Sequence, residues 1–295
     1  MEILTVENLS KNYGNIKALK GVSFSVPAGT VFGILGPNGS GKTTLLGIIM
    51  DVLKASGGGY KIFGEAPTNK QRKQIGTLLE TPNFYHYLTA VQNLRIAAAI
   101  KERGVEDIDR VLEIVNLANR KNSRFSTYSL GMKQRLAIGA ALLGNPDVLV
   151  FDEPTNGLDP VGIAEIRELI KKLSQQGKTI IMASHLLDEV EKVCTHVAIL
   201  KQGTLITHGD VNEILVNEDL VEVSAPNLEQ LKNILQQLQG TTKVDIADKV
   251  VRVYFPSGRA DLAAVNQFCF NNGIVLSHLQ LKKKSLESKF FELTN

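Results

Sequence analysis

Gly36-Pro37-Asn38-Gly39-Ser40-Gly41-Lys42-Thr43 sets two glycines at the ends of a short turn and closes it with a lysine and a hydroxyl. Those residue types at that spacing bind phosphate. The glycines let backbone N–H groups close around an oxyanion, and a helix N-terminus behind them adds positive potential. Lys42 can reach β- and γ-phosphates, and the Thr43 hydroxyl can ligate Mg²⁺. The flanks agree, because Val31-Phe32-Gly33-Ile34-Leu35 reads as a buried strand leading in and Thr44 to Met50 as a buried helix leading out. The chain therefore handles a nucleotide, with Gly36, Asn38, Gly39, Ser40, Gly41, Lys42, Thr43 and Thr44 as its candidate contacts.

A second apolar run, Val148 to Phe151, ends in Asp152-Glu153. There Asp152 can hold Mg²⁺ through its water shell, and Glu153 can polarise the water that attacks a γ-phosphate. Taken alone, the pair is equally a solvated strand end. A third run, Thr179 to Ala183, precedes Ser184-His185. A lone histidine is more often structural than catalytic.

Helical segments separate these runs, which is the layout of a parallel sheet covered by helices, an α/β fold. Residues up to about Phe63 read as short strands and turns, and Gly21 to Val26 alternates like a half-buried strand. From about Thr89 to Leu143 the pattern is helical, with Thr89 capping a helix through Ala99 and apolar positions from Val111 to Leu117 at helical spacing. These segments define a helical subdomain at about 85–145 within a nucleotide-binding domain of residues 1–210. Beyond Asp210 the texture changes. Strands are expected at Leu220–Ser224, Lys243–Ile246, Val250–Phe255 and Ile274–Leu281, and helices at Leu228–Leu238 and Ala260–Phe270. That β-α-β-β-α-β order predicts a small α+β, ferredoxin-like domain over 218–295.

The 295 residues suffice for two cores. A net charge of +3 with interspersed signs gives no basic field, so nucleic acid is not an expected partner. Lys282-Lys283-Lys284 reads as a solvated strand end. Cys194 and Cys269 lie far apart without metal-ligand spacing, which suits packing residues in a reducing cytosol. The start lacks the pattern of a secretory signal, and no apolar run reaches the roughly 18 residues of a membrane span. A cytoplasmic location follows as the expectation, with any membrane role depending on another chain.

Tyr128-Ser129-Leu130-Gly131-Met132-Lys133-Gln134-Arg135 resembles the signature motif of ATP-binding cassette (ABC) proteins. Together with the phosphate loop, Asp152-Glu153, Gly157-Leu158-Asp159 and His185, in that order, it makes the first 210 or so residues similar to an ABC ATPase. The resemblance implies a P-loop cassette that hydrolyses ATP with Mg²⁺. It also implies a head-to-tail dimer of two copies, in which each ATP lies between one copy's phosphate loop and the other's signature helix. Ser129 and the Gly131 N–H would then contact the γ-phosphate across the interface, and Asp159 would shape the opposing site. His185 would touch the γ-phosphate and settle Glu153 and the water. Tyr13 stands where the family stacks an aromatic on adenine; otherwise it is a turn tyrosine.

Two positions depart from the family pattern. Leu130 replaces the first of the paired glycines in the signature, which puts the close approach of the backbone to phosphate in question. Glu80, in Thr77-Leu78-Leu79-Glu80-Thr81-Pro82, stands where the family typically carries a Mg²⁺-binding glutamine. A carboxylate is a harder, charged ligand for that cation, whereas a surface-loop glutamate would have no such role. Glutamate here and the Ser-Leu-Gly-Met-Lys-Gln signature resemble the bacitracin and lantibiotic exporter subgroup. The segment Ser285 to Thr294 is similar to the tails of drug-exporter ATPases. The implied function is the ATPase subunit of a peptide-antibiotic exporter or immunity system, peripheral on the inner face of the membrane through separate permease subunits. A soluble single-cassette assembly ATPase and a sensing ATPase are the alternatives.

Overall fold

The computed structural model describes residues 1–215, 219–256, 258–282, 286 and 290. The chain divides into two units, Met1–Gly209 and Asp210–Asn295. The expected start of the second domain at 218, Lys283-Lys284 and the exporter-like tail lie outside the described residues, apart from Leu286 and Phe290.

The first unit opens with β1 (Glu2–Tyr13) and β2 (Ile16–Pro27), followed by β3 (Val31–Leu35), α1 (Lys42–Ile49), β4 (Gly57–Ile62), α2 (Asn69–Arg72) and β5 (Ile75–Leu78). Next come α3 (Ala90–Lys101), α4 (Ile108–Ile114), α5 (Leu130–Leu142), β6 (Val148–Asp152), α6 (Pro160–Gln175), β7 (Thr179–Ser184), α7 (Leu187–Glu191), β8 (His196–Lys201) and β9 (Thr204–Asp210). A six-stranded sheet in the order β5-β6-β7-β3-β8-β9 forms its centre. Every residue of β3, β6 and β7 is buried, which is why their sequences are unbroken apolar runs rather than alternating ones. An antiparallel sheet, β2-β1-β4, packs its inward side chains against the same core, where Phe24 stacks on Phe32 at 5.4 Å between ring centroids.

The helical segment, α3 to α5, begins at the cap expected from the sequence, Thr89. Thr89 and Gln92 form a capping box at α3, and Ser129 caps α5. Helix α5 packs on α3, α4 and β5. The parallel register decides which loops meet. Leu35 pairs with Ser184, Asp152 with Ala183 and Leu78 with Phe151, so the residues following β3, β5, β6 and β7 emerge from one edge of the sheet. Ligands of open α/β sheets bind at that carboxyl edge.

The second unit contains α8 (Val211–Leu215), β10 (Asp219–Ser224), α9 (Leu228–Leu235), β11 (Lys243–Ala247), β12 (Val250–Phe255), α10 (Leu262–Asn271) and β13 (His278–Lys282). Its sheet has the order β11-β12-β10-β13 with antiparallel pairings throughout. Val221, Val223, Val251 and Val253 alternate inward onto Leu231, Leu235, Val265 and Cys269. Glu222 faces the other side and pairs with Arg252 at 3.3 Å and Lys282 at 2.8 Å. The last strand is shorter than its sequence suggests. Ile274 to Ser277 precede it, with Ile274 bonded back to Cys269 as the exit from α10.

Candidate active site

The loop between β3 and α1 follows from local sterics. Gly36 has φ 152° and Gly41 φ 107°, both in the left-handed half of backbone space. A Cβ on Gly36 would run into the Leu200 carbonyl, and one on Gly41 would lie 2.7 Å from the Ala18 carbonyl oxygen. Helix α1 has no side-chain cap, so its first-turn N–H groups face the loop without a competing acceptor of that kind. Ser40 Oγ is buried and has no hydrogen-bond partner. Lys42, 5% exposed, donates from Nζ to Gly36 O at 2.8 Å and lies 3.3 Å from Glu153 Oε1. A cavity of ≈ 330 Å³ is lined by Asn38, Gly39, Ser40, Gly41, Lys42, Thr43 and Thr44, joined by Ala18 and Glu153. Ala18 comes from β2 and carries no functional group, so nothing in its local sequence marks it.

Asp152, Glu153, Glu80 and His185 arrive from the neighbouring strand ends. Asp152 is 2% exposed, and its Oδ1 has no hydrogen-bond partner. Burial pushes its carboxyl up. A hydrogen bond with Thr43 pulls it down, Glu153 pushes it up, Lys42 pulls it down, and Glu80 pushes it up. Glu80 is exposed and takes φ 58° directly after β5. An orphaned, buried carboxylate oxygen beside a hydroxyl and near a second carboxylate fits a hard divalent cation. No group of three or more His, Cys, Asp or Glu side chains able to hold a metal occurs among the described residues. A Mg²⁺ ion here would thus complete its shell with phosphate oxygens and water.

Glu153 takes φ 47°, which is uncommon for a non-glycine residue. Its N–H donates to Ala183 O at 3.0 Å, and this bond to β7 holds the turn. Its two carboxylate oxygens are divided between partners, Oε1 toward Lys42 and Oε2 at 2.9 Å from His185 Nδ1. With the imidazole protonated at Nδ1, the ring donates to the carboxylate.

The remaining candidates lie on other elements. Ser129 Oγ accepts from Met132 N at 3.3 Å and so starts α5. Asp159 Oδ1 accepts from Gly162 N at 2.9 Å and starts α6. These two caps are adjacent, because Leu130 lies over Gly157, 3.2 Å from where a Cβ would stand, and Gly131 faces Leu158. Leu130 is itself 47% exposed. Tyr13, 45% exposed at the end of β1, carries Lys11 Nζ 5.0 Å above its ring. None of Tyr13, Ser129, Gly131 and Asp159 lines the phosphate-loop cavity of its own chain.

The ABC transporter family profile matches residues 19–156. The bacitracin transport ATP-binding protein BcrA of Enterococcus faecalis is 34% identical over 99% of this chain and 96% of its own. The lantibiotic transport ATP-binding protein SrtF of Streptococcus pyogenes is 33% identical over 78% of this chain and 96% of its own. Among solved structures, a dimeric post-hydrolysis state of the ATP-binding cassette MJ0796 bound to ADP and Pi aligns with a TM-score of 0.62. It has 28% sequence identity and covers 70% of this chain and 98% of that one. With a glycine-lined phosphate cradle, a buried Asp152 and a Glu153–His185 pair at one sheet edge, and with relatives matching along nearly its whole length, this chain belongs to the ABC transporter family as an ATP-binding, ATP-hydrolysing subunit.

Proposed function

We propose that the chain energises a separate membrane permease that exports, or gives immunity to, a peptide antibiotic of the bacitracin or lantibiotic kind. ATP phosphates would occupy the cradle of Gly36 to Thr44, with Lys42 on the β- and γ-phosphates and Tyr13 against the adenine. Thr43, Asp152 and Glu80 would hold Mg²⁺, which when bound neutralises the developing phosphate charge. Glu153 would take the proton of the attacking water, and His185 would hold that carboxylate in place while reaching the γ-phosphate. The division of Glu153 between Lys42 and His185 carries this reading, because a carboxylate so placed would serve as a general base beside a phosphate-binding cation.

Ser129 and Gly131 would complete the site of a second copy in a head-to-tail dimer, with Asp159 at the same interface. Their placement outside the cavity of their own chain supports that arrangement. No helix among the described residues is long and apolar enough to cross a membrane, so the transported peptide would pass through the permease. Support for a docking face comes from a cavity of ≈ 360 Å³ between Asn83-Phe84-Tyr85 and α3, whose lining includes Ile100, 76% exposed. Two residues, Thr81 and Pro82, separate it from Glu80. The subunit would then sit on the inner face of the membrane. The names of the relatives BcrA and SrtF support the choice of cargo.

Expression with a candidate permease in a sensitive host, scored against bacitracin and a lantibiotic panel, tests this reading. Raised resistance that disappears with Lys42→Ala is the expected result. Unchanged susceptibility to every peptide, with the complex present in membranes, would overturn the assignment of cargo.

A further inference from the structure

His185 sits in a segment with few local restraints. It follows β7 and precedes α7, a helix of five residues whose start has no side-chain cap; the Leu186 N–H instead donates to Ser184 Oγ at 3.0 Å. A segment this short does not hold its own conformation in water. Its position is imposed from outside, by two adjacent residues of α7. Val190 is fully buried against β3, where Gly33 leaves room for it: a Cβ there would stand 2.8 Å from Val190 Cγ1. Glu189 reaches the other way, to α6, where Arg167 Nη1 donates to its Oε2 at 2.8 Å.

The geometry of that pair exceeds a surface contact. Arg167 and Glu189 are 23% and 19% exposed, and the second Glu189 oxygen accepts from Lys192 Nζ at 2.9 Å. Burial pushes the Glu189 carboxyl up, but bonds and charges from Lys192 and Arg167 outweigh it and hold the group below the usual carboxylate range. Arg167 also lies on the helix that Asp159 caps, so the residue expected at the dimer interface and the anchor of α7 share one rigid element.

We propose that the Arg167–Glu189 ion pair is a positioning device for His185, tying α7 to α6 so that the imidazole stays on Glu153. Neither residue lines the phosphate-loop cavity, and both act through His185. This rests on the reading of Glu153 and His185 as the hydrolytic pair. Misplacing a catalytic group by about 1 Å can cost up to about a hundredfold in rate, so loss of the tether should show in turnover rather than in nucleotide affinity.

The test uses the full chain with Arg167→Met, Glu189→Gln and Arg167→Lys, read by ATP affinity, by kcat and KM, and by the imidazole ¹⁵N resonances. The His185 signal is identified by its loss in His185→Ala. Arg167→Met and Glu189→Gln should each lower kcat about tenfold, leave ATP affinity within about twofold and move the His185 resonance, while Arg167→Lys should restore much of both. Should Arg167→Met not fold, Glu189→Gln carries the same readouts. An unmoved His185 resonance, or a loss of ATP affinity as large as the loss of kcat, would overturn the tether. Wild-type hydrolysis in His185→Ala would instead overturn the catalytic reading, and the resonance would still decide whether Arg167 and Glu189 position the ring.

Discussion

Lys42 and Glu153 form an ion pair at 3.3 Å in which one partner is 5% and the other 19% exposed. One comes from the first residue of α1 and the other from the turn after β6, yet the cation proposed to read phosphate and the carboxylate proposed to activate water are in contact. On that reading, an arriving γ-phosphate would compete with Glu153 for Lys42. Binding and hydrolysis would then meet at one pair of atoms.

Substitution separates the two functions. Lys42→Ala removes the phosphate cation and should abolish tight ATP binding, whereas Glu153→Gln removes only the base and should keep ATP while slowing hydrolysis by about 10²–10⁴-fold. Nucleotide affinity and sizing in the presence of ATP distinguish them. Equal loss of binding in both variants would contradict the assigned roles.

Glu80 adds charge to the region of Asp152. Glu80→Gln keeps the shape but supplies a weaker oxygen donor for a hard cation, so hydrolysis should need more Mg²⁺, and Glu80→Ala should uncouple resistance more severely. Metal-titrated hydrolysis with the permease complex measures this. Wild-type Mg²⁺ dependence and resistance in Glu80→Ala would exclude a role for the carboxylate.

A mixture tests the composite site. Chains inactivated by Lys42→Ala and by Ser129→Arg should regain part of their hydrolysis when combined, because one of the two sites then has an intact loop and an intact signature. Heterodimers that form without recovery would refute head-to-tail pairing.

Lys101 gives a stability prediction. Its Nζ donates to Ala140 O at 2.7 Å and Ala141 O at 3.1 Å, closing the end of α5, while burial and then Arg103 lower its pKa from 10.5 to about 8. The folded state binds this proton less tightly than the unfolded one. The resulting penalty is fully present below pH 8 and relieved as pH rises from about 8 to 10.5. Urea unfolding of wild type relative to Lys101→Met should therefore shift in favour of wild type across that window, by about 1–3 kcal/mol. A difference independent of pH would show that the amine is not desolvated.

The phosphate loop, the Asp152-Glu153 pair, the cap at Thr89 and the buried strands were legible in the sequence because each is a local rule. Glycine spacing sets the turn, hydroxyls set helix starts, and unbroken apolar runs mark strands covered on both faces. The strand at Ile274 to Leu281 was read too long because apolar residues leaving a helix look like those entering a strand, and only the bond from Ile274 to Cys269 separates them. Ala18, Arg167 and Glu189 could not be found that way. Their importance comes from what the fold brings to them from distant parts of the chain, and Ala18 has no functional group to signal it. The parallel register brings Glu153 to the edge where Lys42 and His185 lie, since pairing of β3, β6 and β7 at fixed offsets gathers three separate strand ends. The sequence determined which chemistry was available, because that depends on residue type and near-neighbour spacing. Tertiary structure decided which groups share it, because contact between residues far apart in the chain depends on sheet order and helix packing, which no local pattern encodes.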